Sequence, residues 1–340
     1  MHDPNFPPNL SIQPSASAIH ASENGLIFDQ ESDIKRYGIA GRVWEAAYAL
    51  AAYTIPPTSV IDQQTDAEQL SGLNFDPQCS LFYETQARPI TVVEVGSGTG
   101  YAGIHIAHQL DILRRRKRTC SAPINVILTD LENVVPLLQQ GIREHEDVMS
   151  SGVRLEARAL EWGNLEHLLA LAEYLNDLGT PVTHILCSDL VYFPHLYPQL
   201  LRTLLALTSP PFCDISFSPE IIIGCKSDKY SIRVVTLLHV VIDKVRSLTK
   251  ETPFWQVFGT WFTFAPVLAI ETGPGEVEAG WSRFGHATDT HIFVATRRSQ
   301  SFQWDIPNED SQLMNGFGPN PSRLDDTFES LLLLGIDADE

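Results

Sequence analysis

Residue types able to do chemistry gather at a few places in the sequence. The run TVVEVGSGTGYAG (91–103) sets one acid, Glu94, and bare backbone at Gly96, Gly98 and Gly100 directly after an apolar stretch. Glycine there permits positive φ and lets a ligand come close to the main chain. Two ligands fit. Read from Gly98, G-T-G-Y-A-G matches the dinucleotide fingerprint G-x-G-x-x-G, whereas E-V-G-S-G-T-G, read from Glu94, fits a different nucleoside-binding loop. Asp130 ends the next apolar run, INVILTD, where both ligand classes use a carboxylate for ribose hydroxyls, so it does not separate them.

Three further clusters accompany the loop. Trp162, in ALEWG (159–163), offers the π surface that can line an adenine pocket. Ser188, Asp189 and Tyr192, in CSDLVY (187–192), end another apolar run over the expected site. Upstream, GRVWEAAYALAAY (41–53) has helical spacing with Trp44 near its start. A single tryptophan is more often core than pocket, so the weight lies in the conjunction. Glu94 is the informative acid, because a carboxylate in an apolar strand is costly to desolvate unless it accepts hydrogen bonds, here from amides of the loop.

Positioning these groups requires strands that end at one edge. ITVVEV (90–95), INVILTD (124–130), RLEARAL (154–160), HILCSDLVY (184–192) and EIIIGCK (220–226) read as strands, and helical patterns follow the first four: AGIHIAHQLDILRR, LENVVPLLQQGIREH, LEHLLALAEYLNDLG and YPQLLRTLLAL. Such alternation implies βαβ units and a mainly parallel sheet covered on both faces. WQVFGTWFTFAPVLAI (255–270) and HIFVATRR (291–298) read as two strand-like runs without a helix between them, an antiparallel pair that closes the sheet. The expected fold is a doubly wound, mainly parallel seven-stranded α/β sheet with an antiparallel C-terminal strand.

Residues 1–22 read as a disordered lead-in, 23–298 as one domain with insertions at 57–87 and 111–123, and 299–340 as an acidic, largely flexible tail whose FESLLLLGIDADE forms a short helix that docks on the body. The second insertion holds the basic cluster RRRKR (114–118), read as a solvated helix end. No apolar run approaches the roughly 18 residues of a membrane span, and the opening residues lack a secretory pattern, so a cytoplasmic and possibly also nuclear address is expected. Five cysteines without a C-x-x-C pair read as reduced core thiols, and no metal site is expected. A net charge of -19 argues against direct nucleic-acid binding and favours a basic partner. Part of that charge is local, since 301–340 holds nine carboxylates against Arg323 alone.

VVEVGSGTG, LTDLENVVPLL, LEWG, SDLVY and GRVWEAA together resemble the seven-strand S-adenosylmethionine-dependent methyltransferases, and within them the protein lysine methyltransferase-like group called methyltransferase family 16. The resemblance covers about residues 35–298. It implies S-adenosyl-L-methionine as cofactor, with Trp44 in contact with it, Gly96, Ser97 and Gly98 beneath its methionine part, Asp130 on the ribose, Trp162 beside adenine and Ser188 lining the site. Glu94 and Gly100 complete the loop, Asp189 and Tyr192 face the reacting end, and Gly103 becomes a small residue that lets a helix pack on the sheet. A monomer acting on a lysine of a basic protein is the expected function. A small-molecule amine, a silent partner-binding role and nicotinamide-dependent oxidoreduction are the alternatives. A lysine acceptor must be neutral, which from a pKa of ~10.4 costs about 4.6 kcal/mol at pH 7, and a desolvating channel lowers that cost. The chain departs from the family at its insertions and at the aromatic run 253–264, so the acceptor's identity is not carried by the resemblance.

Overall fold

A computed structural model describes residues 3–8, 10–15, 26–56, 73–82, 88–116, 122–145, 152–214, 217–226, 250–271, 280–285, 290–316 and 325–334. Helices α1 (Gln30–Tyr37) and α2 (Glu45–Tyr53) precede strand β1 (Leu73–Asp76). The alternating part follows as β2 (Ile90–Val95), α3 (Tyr101–Arg116), β3 (Ile124–Asp130), α4 (Val135–His145), β4 (Val153–Ala159), α5 (Leu165–Leu178), β5 (His184–Ser188), α6 (Tyr197–Leu207) and β6 (Glu220–Lys226). Strands β7 (Phe262–Pro266), β8 (Leu268–Glu271), β9 (Ser282–Arg283) and β10 (Thr290–Arg297) come last.

Seven strands form one sheet in the order β4-β3-β2-β5-β6-β10-β7. From β4 to β6 every pairing is parallel, and β10 runs antiparallel to both of its neighbours, β6 and β7. The expected α/β sheet and its antiparallel closure are therefore present. From β2 the chain winds outward through β3 to β4, then returns to β5 on the other side. That reversal opens a crevice at the carboxyl ends of β2 and β5.

Period-two alternation sorts the side chains between two layers. Val93, Val95, Ile185, Cys187 and Ile223 share one core with Leu171 and Leu175 of α5 and Leu200 and Leu204 of α6. Val92, Val126, Leu128, Leu186 and Ile222 share the other with Leu50 of α2 and Ile106 and Leu110 of α3. Glu94 lies two residues beyond Val92, on the α3 face. Gly224 in β6 lets α2 come close, since a β-carbon there would meet Ala46 Cβ and Leu50 Cγ at 3.1 Å.

Three expectations need correction. Residues 250–261 form a helix, not the start of a strand, and extended structure begins at Phe262. Phe254, Phe258 and Phe262 recur every four residues and stack, with centroids 5.6 and 4.6 Å apart, so the aromatic enrichment that suggests a strand hides a helical period. The lead-in is not simply disordered: Asn5 and Ser15 are buried, and Ser15 N donates to Gln30 Oε1, which also accepts Val43 N. The tail docks more extensively than expected. Arg202 binds Asp310, and buried Phe328 stacks on Trp255 with centroids 4.8 Å apart.

Part of the first insertion forms a strand, β1, in a separate sheet of order β1-β8-β9; residues 57–72 and 83–87 of it lie outside the described residues. Within the basic cluster, Arg114 donates to the carbonyls of Ala122 and Gly152 and Arg115 pairs with buried Asp111, so these two are tied down. Lys117 and Arg118 lie outside the described residues, as does Cys120. The other four cysteines are buried free thiols.

Candidate active site

Strand register brings the expected site residues to one edge. Val95 pairs with Thr129 and with Cys187, and Asp130 pairs with Ala159, so the residues that follow β2, β4 and β5 emerge beside the end of β3. A cavity of about 1480 Å³ opens there, lined among others by Trp44, Glu94, Gly96, Ser97, Gly98, Asp130, Trp162, Ser188, Asp189 and Tyr192.

The glycine loop is held from behind by its own strands. Ser97 N donates to Thr129 O at 2.9 Å, and Ser97 Oγ accepts Thr129 N at 3.0 Å. Gly98 N donates to Asp130 Oδ2 at 2.8 Å, and Leu131 N donates to Oδ1 at 2.7 Å. Gly96 and Gly98 both take positive φ, which suits glycine. At Gly96 the space is also needed: a β-carbon would meet Leu190 Cδ2 at 2.8 Å and Trp162 Cζ2 at 3.0 Å. Gly100 is a correction. Its φ is positive as well, but it does not line the cavity; a β-carbon there would press on Leu128 and Leu138 in the core.

Two acids stand behind the loop, Glu94 buried and Asp130 partly so. Glu94 Oε2 accepts Gly103 N at 3.2 Å, the amide-bonded role expected of it. Burial is the main cause that pushes its carboxyl up to about 8, against the hydrogen bonds from Ser97 and Gly103. Asp130 is pushed up to about 6, again by burial, with the amides of Gly98 and Leu131 opposing. A carboxylate has about four lone-pair positions, so Asp130 keeps acceptor capacity for a hydroxyl after binding those two amides.

Asp189 lines the cavity, and both of its carboxylate oxygens are tied to backbone amides. It sits at φ 54, a left-handed conformation that ends β5 and turns the chain. Its Oδ2 accepts Ala46 N at 3.0 Å and its Oδ1 accepts Lys226 N at 2.8 Å. Ala46 N is an otherwise unsatisfied donor in the first turn of α2. The carboxylate thus pins the start of α2, just after Trp44, to the ends of β5 and β6. Burial first, and Glu45 nearby, push it up to about 6. This geometry lets Asp189 hold the backbone around the site, and Ser188 and Tyr192 line the cavity beside it.

Ser188 Oγ is buried with no hydrogen-bond partner. The Tyr192 ring meets Trp162 edge-on at 6.4 Å and Phe193 at 4.6 Å, and Phe193 stacks on His195 at 5.5 Å. This aromatic row runs along the mouth, where Tyr192 is 39% exposed. Desolvation, then the Asp130 charge, pushes the Tyr192 phenol above its usual pKa. Trp44 Nε1 donates to Ile39 O at 3.0 Å, while the Arg42 guanidinium lies 4.3 Å from its ring centroid. Sequence reasoning missed Ala40, whose carbonyl oxygen would stand 3.0 Å from a β-carbon on Gly98, and Gln199, which lines the cavity beside Gly163. Neither carries a local motif, because both reach the site only through tertiary packing.

A family model described as lysine methyltransferase matches residues 22–229, more than half of the chain. The chain belongs to that family. Protein-lysine N-methyltransferase EFM6 of Saccharomyces cerevisiae is 29% identical over 181 residues, covering 51% of this chain and 61% of that protein. Protein N-lysine methyltransferase METTL21A of Xenopus tropicalis is 26% identical over 179 residues, covering 53% and 60%. EEF1A lysine methyltransferase 3 of Mus musculus is 29% identical over 175 residues, covering 52% and 53%. The chain thus spans between half and two thirds of the length of these relatives. The family match ends just after β6, so β7 to β10 and the docked tail lie outside it. Among the described residues no cluster of acids, histidines or cysteines could hold a metal ion, and no helix is long and apolar enough to cross a membrane.

Proposed function

We propose that this protein is an S-adenosylmethionine-dependent methyltransferase whose acceptor is a lysine side chain of a protein. The observation that carries the reading is the conjunction of family membership with a cavity at the β2/β5 switch point that has the chemistry such a cofactor needs. Gly96 leaves room where a side chain would collide, and Ser188 Oγ is a buried polar atom in want of a partner. Asp130 supplies acceptor capacity for ribose hydroxyls, and the Trp162 ring supplies an apolar surface for adenine. When bound, S-adenosylmethionine supplies an activated methyl group on a sulfonium.

The chain's own task is to position and to dry the acceptor. The row Trp162, Tyr192, Phe193 forms an aromatic mouth that desolvates an incoming amine and so lowers the cost of its neutral form. The Asp189 carboxylate, tied to two backbone amides, holds the β5 turn that aims Tyr192. An acidic chain, net -19, suits a basic protein segment as acceptor, and we take the active form to be a cytoplasmic monomer that does not bind nucleic acid directly.

Incubating the protein with a cell lysate and labelled S-adenosylmethionine tests the reading. Label is expected on lysines of one or a few proteins, and Asp130→Asn is expected to reduce both labelling and cofactor binding by ~10–100-fold, because one backbone donor then faces a donor. Label on small molecules alone would overturn the protein acceptor. No label, with no cofactor binding, would overturn the activity.

A further inference from the structure

One wall of the cavity comes from residues that precede the family match. Asp3, Asn5, Pro7, Pro8 and Leu10 all line it. Residues 3–8 form a run of turns, with Phe6 N donating to Asp3 O at 3.1 Å and Asn5 N to Asp3 Oδ1 at 2.9 Å. Asn5 is only 4% exposed. Its carbonyl oxygen accepts Ile39 N at 2.9 Å, and its Nδ2 lies 3.5 Å from Asn133 Oδ1, in the turn after Asp130. Gly38 is shaped for this contact, for a β-carbon there would stand 1.9 Å from Asn5 O.

Three parts of the site meet at the turn that Asn5 grips. Ile39 gives its N–H to Asn5 and accepts Trp44 Nε1 on its carbonyl. Ala40, the next residue, packs its carbonyl against Gly98. Asn133 carries the contact to the Asp130 turn. Prolines at 4, 7 and 8 restrict the segment, so less freedom is lost when it closes.

We propose that the segment from Asp3 to Pro8 is a strap that closes the cofactor cavity, with Asn5 as the residue that positions it on the Gly38–Gly41 turn. The proposal rests on the cofactor reading above. If the strap strengthens ligand binding, bound ligand must strengthen the strap by the same factor.

The test compares the full chain with one lacking residues 2–12, using S-adenosylhomocysteine as the probe. Titration calorimetry is expected to show ~10-fold weaker binding to the shortened chain, within the usual range of coupling between sites, and stopped-flow should assign the change mainly to faster dissociation. In the full chain, the ligand should slow hydrogen exchange at the amides of Phe6 and Ile39. Equal affinity and equal dissociation rates would overturn the strap while leaving the cofactor reading intact. Should the shortened chain fold poorly, unchanged exchange at Phe6 and Ile39 in the full chain would overturn it equally. Failure of the full chain to bind the probe would remove the cofactor reading, and the strap with it.

Discussion

Glu94 Oε2 accepts the Gly103 amide at 3.2 Å and stands 2.5 Å from where a β-carbon on Gly103 would be. Leu128 Cδ2 would be nearer still, at 2.3 Å. The bareness of Gly103 therefore serves the contact between α3 and the sheet, and no dinucleotide is needed to explain it. Helix propensity alone would favour Gly103→Ala by about 1 kcal/mol. Overpacking costs ~1–3 kcal/mol, and displacing Glu94 adds a lost hydrogen bond to a buried carboxyl. Net destabilisation of ~1–3 kcal/mol is expected in urea unfolding, and a stabilised variant would contradict the packing argument.

The same acid makes stability depend on pH. With its folded-state carboxyl raised to about 8 from 4.5, the native chain holds a proton that the unfolded chain has released. That contribution is complete below the unfolded value and is lost as pH rises through about 8. Asp130 and Asp189, raised to about 6, act in the same direction at lower pH, whereas His105, lowered to about 4 from 6.5, opposes them below 6.5. Between about pH 6.5 and 8 Glu94 dominates among these groups, so the melting temperature of the ligand-free chain should fall across that interval. Glu94→Gln, which imitates the protonated form, should flatten the slope. An unchanged slope would assign it elsewhere.

Asp189→Asn separates positioning from proton transfer. Asparagine tolerates the left-handed backbone at this position, but its NH₂ must face either Ala46 N or Lys226 N. Loss of one such bond to a partly buried carboxylate is expected to slow methyl transfer by ~10–100-fold through misplacement of the β5 turn. A base would show itself by loss of one limb of the pH–rate profile. A slower rate with the profile's shape kept is the outcome expected of a positioning residue.

Phe328→Ala reports on the tail. Phe328 is buried on Trp255, which also contacts Phe258 and Phe293. Truncating a buried phenylalanine costs ~3–5 kcal/mol. The unfolding midpoint should drop accordingly. An unaltered midpoint would mean that the tail contributes nothing to the domain.

Much of the architecture was legible because its signals are local. Strand-like runs of five to seven residues, the first four each followed by a helical period, are enough to specify β2 to β6 and the helices between them, and parallel pairing follows from the crossovers. The glycines at 96 and 98 and the acid at 130 were legible for the same reason, since strand ends in such a sheet share one edge. The strand-like run 255–270 misled at its start because composition suggested a strand where, up to residue 261, spacing made a helix.

Local pattern is thus enough for the alternating α/β order and for which residues emerge at the carboxyl edge of the sheet. Their surroundings follow from long-range packing. Whether Asp189 is free or tied depends on Ala46, 143 positions away, and whether Gly100 meets ligand or core depends on Leu128 and Leu138. The same holds for the lead-in, where Asn5 meets Ile39 and, across 128 positions, Asn133. Such pairings bring together groups distant along the chain, and period and propensity act only over a few residues.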